Sequence, residues 1–173
     1  MRTIASMVGR ELQWMQPSIF RREYELRAGD ILVARMEWVK FFGMVARAES
    51  GDGCWLFDRT GIWSPNIVVR TPGEETPILT FPEKWFGRKQ PLVLPSGETL
   101  IVQSDLFGWK STLETTTGEL LMQVKRHGFF SRLYDAELRR RGASYQEFPW
   151  LVMLLWYLAV LARRRAQAHA VVG

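Results

Sequence analysis

The run Phe148-Pro149-Trp150-Leu151-Val152-Met153-Leu154-Leu155-Trp156-Tyr157-Leu158-Ala159-Val160-Leu161-Ala162 carries no charge at any position. A helix built from it has no polar stripe to offer to water, so it must be covered on every side, by protein or by lipid. Length separates the two. Fifteen residues give a helix of about 22 Å, whereas a bilayer core about 30 Å thick asks for about 20 residues. Glu147 and Arg163-Arg164-Arg165 bound the run sharply. The run therefore reads as the centre of a protein core. A membrane tail anchor is the competing reading, because arginines snorkel and bilayers thin. Ser144 and Glu147 have capping-box spacing, and Pro149 suits only a first turn. A helix over about 148–164 is expected, with Trp150, Leu151, Leu154, Leu155, Trp156, Leu158 and Leu161 in the core and a polar tail from 167 to 173.

Something must enclose such a helix, and the preceding sequence supplies strands. Between Glu11 and Leu138 short alternating segments are cut by turn residues. Tyr24 and Leu26, then Ala28-Gly29-Asp30, then Ile31 and Val33 read as strand, turn, strand. The pattern returns around Pro95-Ser96-Gly97-Glu98 and around Thr116-Thr117-Gly118-Glu119. Each turn places Gly before an acid: Gly takes the left-handed backbone that tight hairpins need, and the acid tolerates exposure. Further hairpins are expected at Gly51-Asp52-Gly53 and at Asp58-Arg59-Thr60-Gly61. About a dozen strands at this spacing suit an antiparallel sandwich or closed barrel. The polar stretch Thr71-Pro72-Gly73-Glu74-Glu75-Thr76-Pro77 reads as the link between two loosely repeated halves that share one core.

The chain length of 173 residues fits a single domain, here a lead-in over 1–10 and a barrel domain over 11–166. Eight tryptophans are unusual. Trp38, Trp55, Trp63, Trp85 and Trp109 fall in or beside expected strands, where such rings pack between strand and helix. The single cysteine, Cys54, excludes an internal disulfide, and the first residues lack a sustained apolar stretch. A cytoplasmic monomer is expected.

The chemistry-bearing residues are sparse. His127 and His169 are far apart in sequence; the first ends a basic strand and reads as solvated surface, the second lies in the tail. One Cys and two distant His give no zinc spacing, and no serine or cysteine has a local histidine partner for nucleophilic catalysis. Asp52, Asp58 and Glu74-Glu75 are turn and link residues, and no glycine-rich phosphate loop occurs. Catalytic residues, metal ligands and cofactors are therefore not assigned. The net charge is +5, spread over short clusters such as Arg21-Arg22, Arg139-Arg140-Arg141 and Arg163-Arg164-Arg165. None is a long polybasic arm, so nucleic acid is not expected. Lys84-Trp85-Phe86-Gly87-Arg88-Lys89 stands apart as loop-like, basic and aromatic, a combination that suits shallow insertion into an anionic membrane.

A many-stranded β domain in two halves, closed by an all-apolar helix, resembles the tubby C-terminal-like superfamily. Trp14-Met15-Gln16-Pro17-Ser18 with Arg22-Glu23-Tyr24-Glu25-Leu26, Ala46-Arg47-Ala48-Glu49-Ser50 leading to Trp55-Leu56-Phe57, Leu94-Pro95-Ser96-Gly97, and Leu154-Leu155-Trp156-Tyr157-Leu158 look like stretches of its small bacterial LURP-one-related members. The resemblance covers about Glu11 to Ala162 and consists of core and turn residues. It implies a closed barrel of about twelve antiparallel strands around one central hydrophobic helix. It also implies work at membranes, since tubby proteins bind phosphoinositides and scramblases bind calcium there. No stretch here matches the tubby binding motif, so no binding residue carries over.

The resulting expectation is a non-enzymatic binding or scaffolding module, peripheral to the inner membrane face, whose partner is anionic phospholipid or a protein. The residues expected to meet an anionic surface are Lys84, Trp85, Arg88, Lys89, Arg139, Arg140 and Arg141. Two alternatives stand beside it: a tail-anchored membrane protein, and a small-molecule enzyme with a site in the barrel mouth.

Overall fold

Alternate residues of each strand turn inward, and together the strands form the wall that the apolar helix needs. Trp55 and Phe57 are buried in one strand, Ile67 and Val69 in the next, and Leu100 and Val102 across the molecule. The computed structural model describes residues 1–173 except 19, 40–42, 85–86, 129–130, 140–146 and 173, with the backbone alone at 171–172. Ser144, half of the expected capping box, lies outside the described residues.

The described residues form twelve strands: β1 (Leu12–Met15), β2 (Glu23–Ala28), β3 (Ile31–Trp38), β4 (Ala46–Ser50), β5 (Gly53–Thr60), β6 (Asn66–Arg70), β7 (Leu79–Pro82), β8 (Gln90–Val93), β9 (Thr99–Ser104), β10 (Lys110–Thr115), β11 (Leu120–Arg126) and β12 (Tyr134–Leu138). All neighbours are antiparallel, in the order β7-β6-β5-β4-β3-β2-β1-β12-β11-β10-β9-β8. The first and last strands meet in the middle, Trp14 opposite Tyr134, and each half of the chain runs outward from them. The change of half falls after β7, between residues 83 and 89. The polar link at Thr71–Pro77 only joins β6 to β7 within the first half. The hairpin expected at Asp58–Gly61 is also displaced, because Asp58, Arg59 and Thr60 complete β5 and the turn begins at Gly61.

The sheet is nearly closed into a barrel. No backbone register joins β7 to β8 among the described residues. The Gln90 side chain spans this seam instead: its amide donates to the Pro82 carbonyl at 2.6 Å and accepts from the Lys84 N–H at 3.0 Å. Gln90 is buried, so both amide groups of this clasp are satisfied away from water.

Helix α1 (Trp150–Val172) fills the interior. Every residue from Trp150 to Ala162 is buried, including all seven expected core positions. Trp156 stacks on Trp14 of β1 with centroids 5.0 Å apart and planes 6° from parallel, while Tyr24 and Tyr134 meet it edge-on. The helix continues through 172, beyond the expected end near 164, so His169 sits in its last turn. The charges at Arg163–Arg165 end burial but not helix: Arg, Ala and Gln all favour helix once the chain leaves the barrel. No helix among the described residues is long and apolar enough to cross a membrane.

One end of the barrel is capped by the chain's beginning. A short 3-10 turn, Ile4–Met7, buries Ile4 and Met7. The Ile4 N–H donates to Asp52 Oδ2 at 2.7 Å, and the Gly51 N–H donates to the Arg2 carbonyl. A Cβ at Gly51 would lie 2.7 Å from the Arg2 backbone, which is why this turn needs glycine.

Candidate functional site

In an up-and-down sheet every second connection emerges at the same end. The 3-10 cap occupies the end bearing the 29–30, 51–52 and 116–119 turns. At the opposite end emerge the connections 16–22, 39–45, 61–65, 83–89, 105–109 and 127–133, together with the C-terminal half of α1.

This open end is where the protein shows its apolar side chains to solvent. Of the eleven large hydrophobics exposed among the described residues, eight lie in these connections: Phe20, Val39, Met44, Ile62, Trp63, Leu106, Phe107 and Trp109. Trp63 is 96% exposed, Phe20 90% and Ile62 88%. Single exposed hydrophobics are ordinary, whereas eight of eleven on the loops of one end are not.

Two of the loops are held rigidly. Gly108 has φ +67° and lies so close to α1 that a Cβ there would stand 2.6 Å from the Ala159 carbonyl and the Arg163 nitrogen. Only glycine lets the 105–109 turn press against the helix while Phe107 and Trp109 face outward. Asp105 completes the turn by accepting from the N–H groups of Phe107, Trp109 and Lys110. The 39–45 connection is tied to the helix by the Tyr157 hydroxyl, which donates to the Met44 carbonyl at 2.6 Å. Burial raises the Tyr157 pKa above its ordinary value, so the hydroxyl keeps its proton.

Charge at this end is one-sided. The described residues of the six connections include Arg21, Arg22, Lys84, Arg88, Lys89 and Arg132 against two acids, Glu83 and Asp105. Glu83 is paired with Arg59, and Asp105 serves its own turn. Arg163, Arg164 and Arg165 add to the same end from the helix. Arg163 donates to the Tyr24 hydroxyl at 2.9 Å and reaches the Tyr134 hydroxyl at 3.5 Å; Arg164 stacks over Trp38 at 4.3 Å.

The expected contact residues divide between the two ends. Lys84, Arg88 and Lys89 belong to the open end, Lys89 with its ammonium on Glu114 at 2.8 Å. Arg139 follows β12 at the capped end and pairs with Glu137 at 2.8 Å. Trp85, Arg140 and Arg141 lie outside the described residues. Trp38 and Trp55 are buried as expected, but Trp63 and Trp109 are not core residues. Each sits among turn formers, Gly61 with Ser64-Pro65 and Gly108, so the chain places them on loops and not on strands. Phe20, Ile62, Leu106 and Phe107 escaped sequence reasoning; their signal was an apolar residue within two positions of Gly or Ser in a connection between strands.

The remaining candidates are structural or peripheral. His127 is exposed, on the outer wall, with Nδ1 2.8 Å from Asp135 Oδ2, and Gln13 donates to the same carboxylate. Cys54 is partly exposed on β5. Among the described residues no group of three or more His, Cys, Asp or Glu is placed to hold a metal ion. Comparison of the chain with protein-family models, curated proteins and solved structures finds no match.

Proposed function

We propose that this protein is a non-enzymatic module that docks on anionic phospholipid surfaces by its open end. The observation that carries the reading is the collection of eight exposed apolar side chains on the loops of one end, set among basic residues whose acidic neighbours are already engaged. Trp63, Ile62 and Phe20 are the most exposed and would enter the headgroup boundary; Arg21, Lys84 and Arg88 would face the phosphates. Burying one such side chain is worth about 1.5–3 kcal/mol, and each basic residue near an anionic surface about 1 kcal/mol. The sum of a few such terms gives a reversible peripheral association. Kinship with the tubby-like group is part of the proposal and is supported by twelve strands wrapped around one apolar helix.

The test is co-sedimentation of the full chain with phosphatidylcholine vesicles with and without phosphatidylglycerol. Binding only to the anionic vesicles, weakened by salt and reduced about tenfold in Trp63→Ala, is the expected result. Equal binding to neutral vesicles, or no loss in Trp63→Ala and Phe20→Ala, removes the proposal.

A further inference from the structure

At the open end a cleft of about 780 Å³ lies between the emerging helix and the barrel rim. Five arginines line it: Arg163 and Arg164 from α1, and Arg22, Arg126 and Arg132 from the ends of β1–β2 and β11–β12. No carboxylate lines it among the described residues. This is unlike the outer wall, where Arg27 and Arg35 meet Glu25 and where Arg59 meets Glu83.

Arg163, Arg164 and Arg126 are positioned by neutral groups. Arg163 is half-buried, and its two terminal nitrogens are steered by the Tyr24 and Tyr134 hydroxyls. Arg164, also half-buried, sits over Trp38 at 4.3 Å, and Arg126 lies over Trp109 at 5.7 Å while its Nε donates to the Ser131 carbonyl. Hydroxyls, carbonyls and ring faces orient a guanidinium without cancelling its charge. Arg164 carries the consequence: burial lowers its pKa below the ordinary arginine value, and Arg22 and Arg163 push it the same way. The electronegative end of α1 lies eight residues further on, and its field fades within the last turn.

We propose that this cleft binds a phosphate ester, gripped by Arg163 and Arg164 from the helix and by Arg22, Arg126 and Arg132 from the rim. Planar guanidinium forks match phosphate oxygens in pairs, and a multiply charged anion answers several of them at once where a single carboxylate answers one. Tyr24 and Tyr134 add hydroxyl donors on the floor. The phosphate has two possible sources with the same chemistry, a phosphomonoester lipid headgroup and a free phosphate ester. For the headgroup source the proposal rests on the docking reading above.

The experiment uses the full chain and inorganic pyrophosphate in titration calorimetry, beside flotation with vesicles containing phosphatidic acid or, at matched surface charge, phosphatidylglycerol. Saturable one-to-one pyrophosphate binding is expected, weakened about 10–100-fold in Arg163→Gln and Arg126→Gln and unchanged in Val93→Ala, an exposed β8 residue away from the cleft. Arg163→Lys keeps the charge but loses the fork, and falls between. Should Arg163→Gln not fold by near-ultraviolet circular dichroism, Arg126→Gln and Arg132→Gln carry the test. Preference for phosphatidic acid, lost in the same variants, assigns the headgroup; pyrophosphate binding without vesicle association assigns a free ester and removes the docking reading alone. Vesicle association with neither pyrophosphate binding nor headgroup preference overturns the cleft while docking survives. Pyrophosphate binding that the arginine variants leave intact also overturns it.

Discussion

Trp156→Ala tests the central packing most directly. Trp156 is 1% exposed, lies face to face with Trp14, and touches Tyr24 and Tyr134 at centroid distances of 5.2 and 5.0 Å. Truncating a buried Trp to Ala costs about 3–5 kcal/mol, and the ring pairs place this site toward the upper half, because each adds about 0.5–1.5 kcal/mol beyond burial. A loss of about 4 kcal/mol is a large part of a domain's stability of about 5–15 kcal/mol. With a urea m-value of about 2 kcal/mol/M, the unfolding midpoint falls by about 2 M. Trp156→Phe is the companion variant. The Trp156 Nε1 is buried with no acceptor among the described residues, a burden of about 1–3 kcal/mol that phenylalanine does not carry. The Phe variant should therefore lose less than half as much. Trp63→Ala, at a fully exposed site, should shift stability by no more than about 0.5 kcal/mol. Urea unfolding followed by near-ultraviolet circular dichroism reads all three. A loss below about 1 kcal/mol in Trp156→Ala would mean that the helix does not fill the barrel, and the packing argument would be wrong.

Three other outcomes follow from single contacts. Gln90→Ala removes the clasp between β7 and β8, leaving the Pro82 carbonyl and the Lys84 N–H without that partner; about 1–3 kcal/mol is lost, and hydrogen exchange should quicken at those two strands before the rest. Gly108→Ala drives a methyl group into the α1 backbone and strains a positive φ, so the melting temperature should drop and the Phe107–Trp109 loop should lose vesicle affinity; an unchanged melt refutes the close approach. Glu25 titrates below its ordinary value: burial alone would raise it, but hydrogen bonds and charge from Arg27 and Arg35 outweigh that. Its folded pKa being the lower, its stabilisation is full above about pH 4.3, the ordinary glutamate value, and is lost as pH falls through the folded one. Glu25→Gln should thus lie below the native protein at pH 7 and converge on it in acid, as measured by urea unfolding across pH.

Much of the architecture follows from local sequence. The hairpins at Gly29, Gly97 and Gly118 sit where the chain needs a positive φ, and all three glycines have one, between +58° and +87°. The helix start after Pro149 follows from proline's missing N–H, and its burial from the absence of any charge over fifteen residues. Its end was less legible, because burial stops at Arg163 while helix propensity continues. Alternation likewise identifies strands without saying which strands are neighbours. That β1 meets β12, and that a glutamine side chain bridges β7 and β8 where no backbone register joins them among the described residues, is a matter of sheet curvature and long-range pairing.

The candidate site was legible in kind and not in place. Lys84, Arg88 and Lys89 announce a basic loop in the sequence, but nothing local separates them from Arg139, which folding sends to the other end. Trp63 has the composition of a core residue and becomes one of the most exposed side chains, because a turn between two strands can leave the sheet surface altogether. The sequence by itself determined that a helix with no polar face had to be covered on every side, by protein or by lipid, since so much apolar surface must leave water; that strands wrap it is seen only in the fold. Only the tertiary structure decided that Arg22, Arg126 and Arg132 would converge with Arg163 and Arg164 on one cleft. Residues separated by more than a hundred positions become neighbours through the pairing of β1 with β12 and the threading of the helix, and no local pattern encodes that meeting.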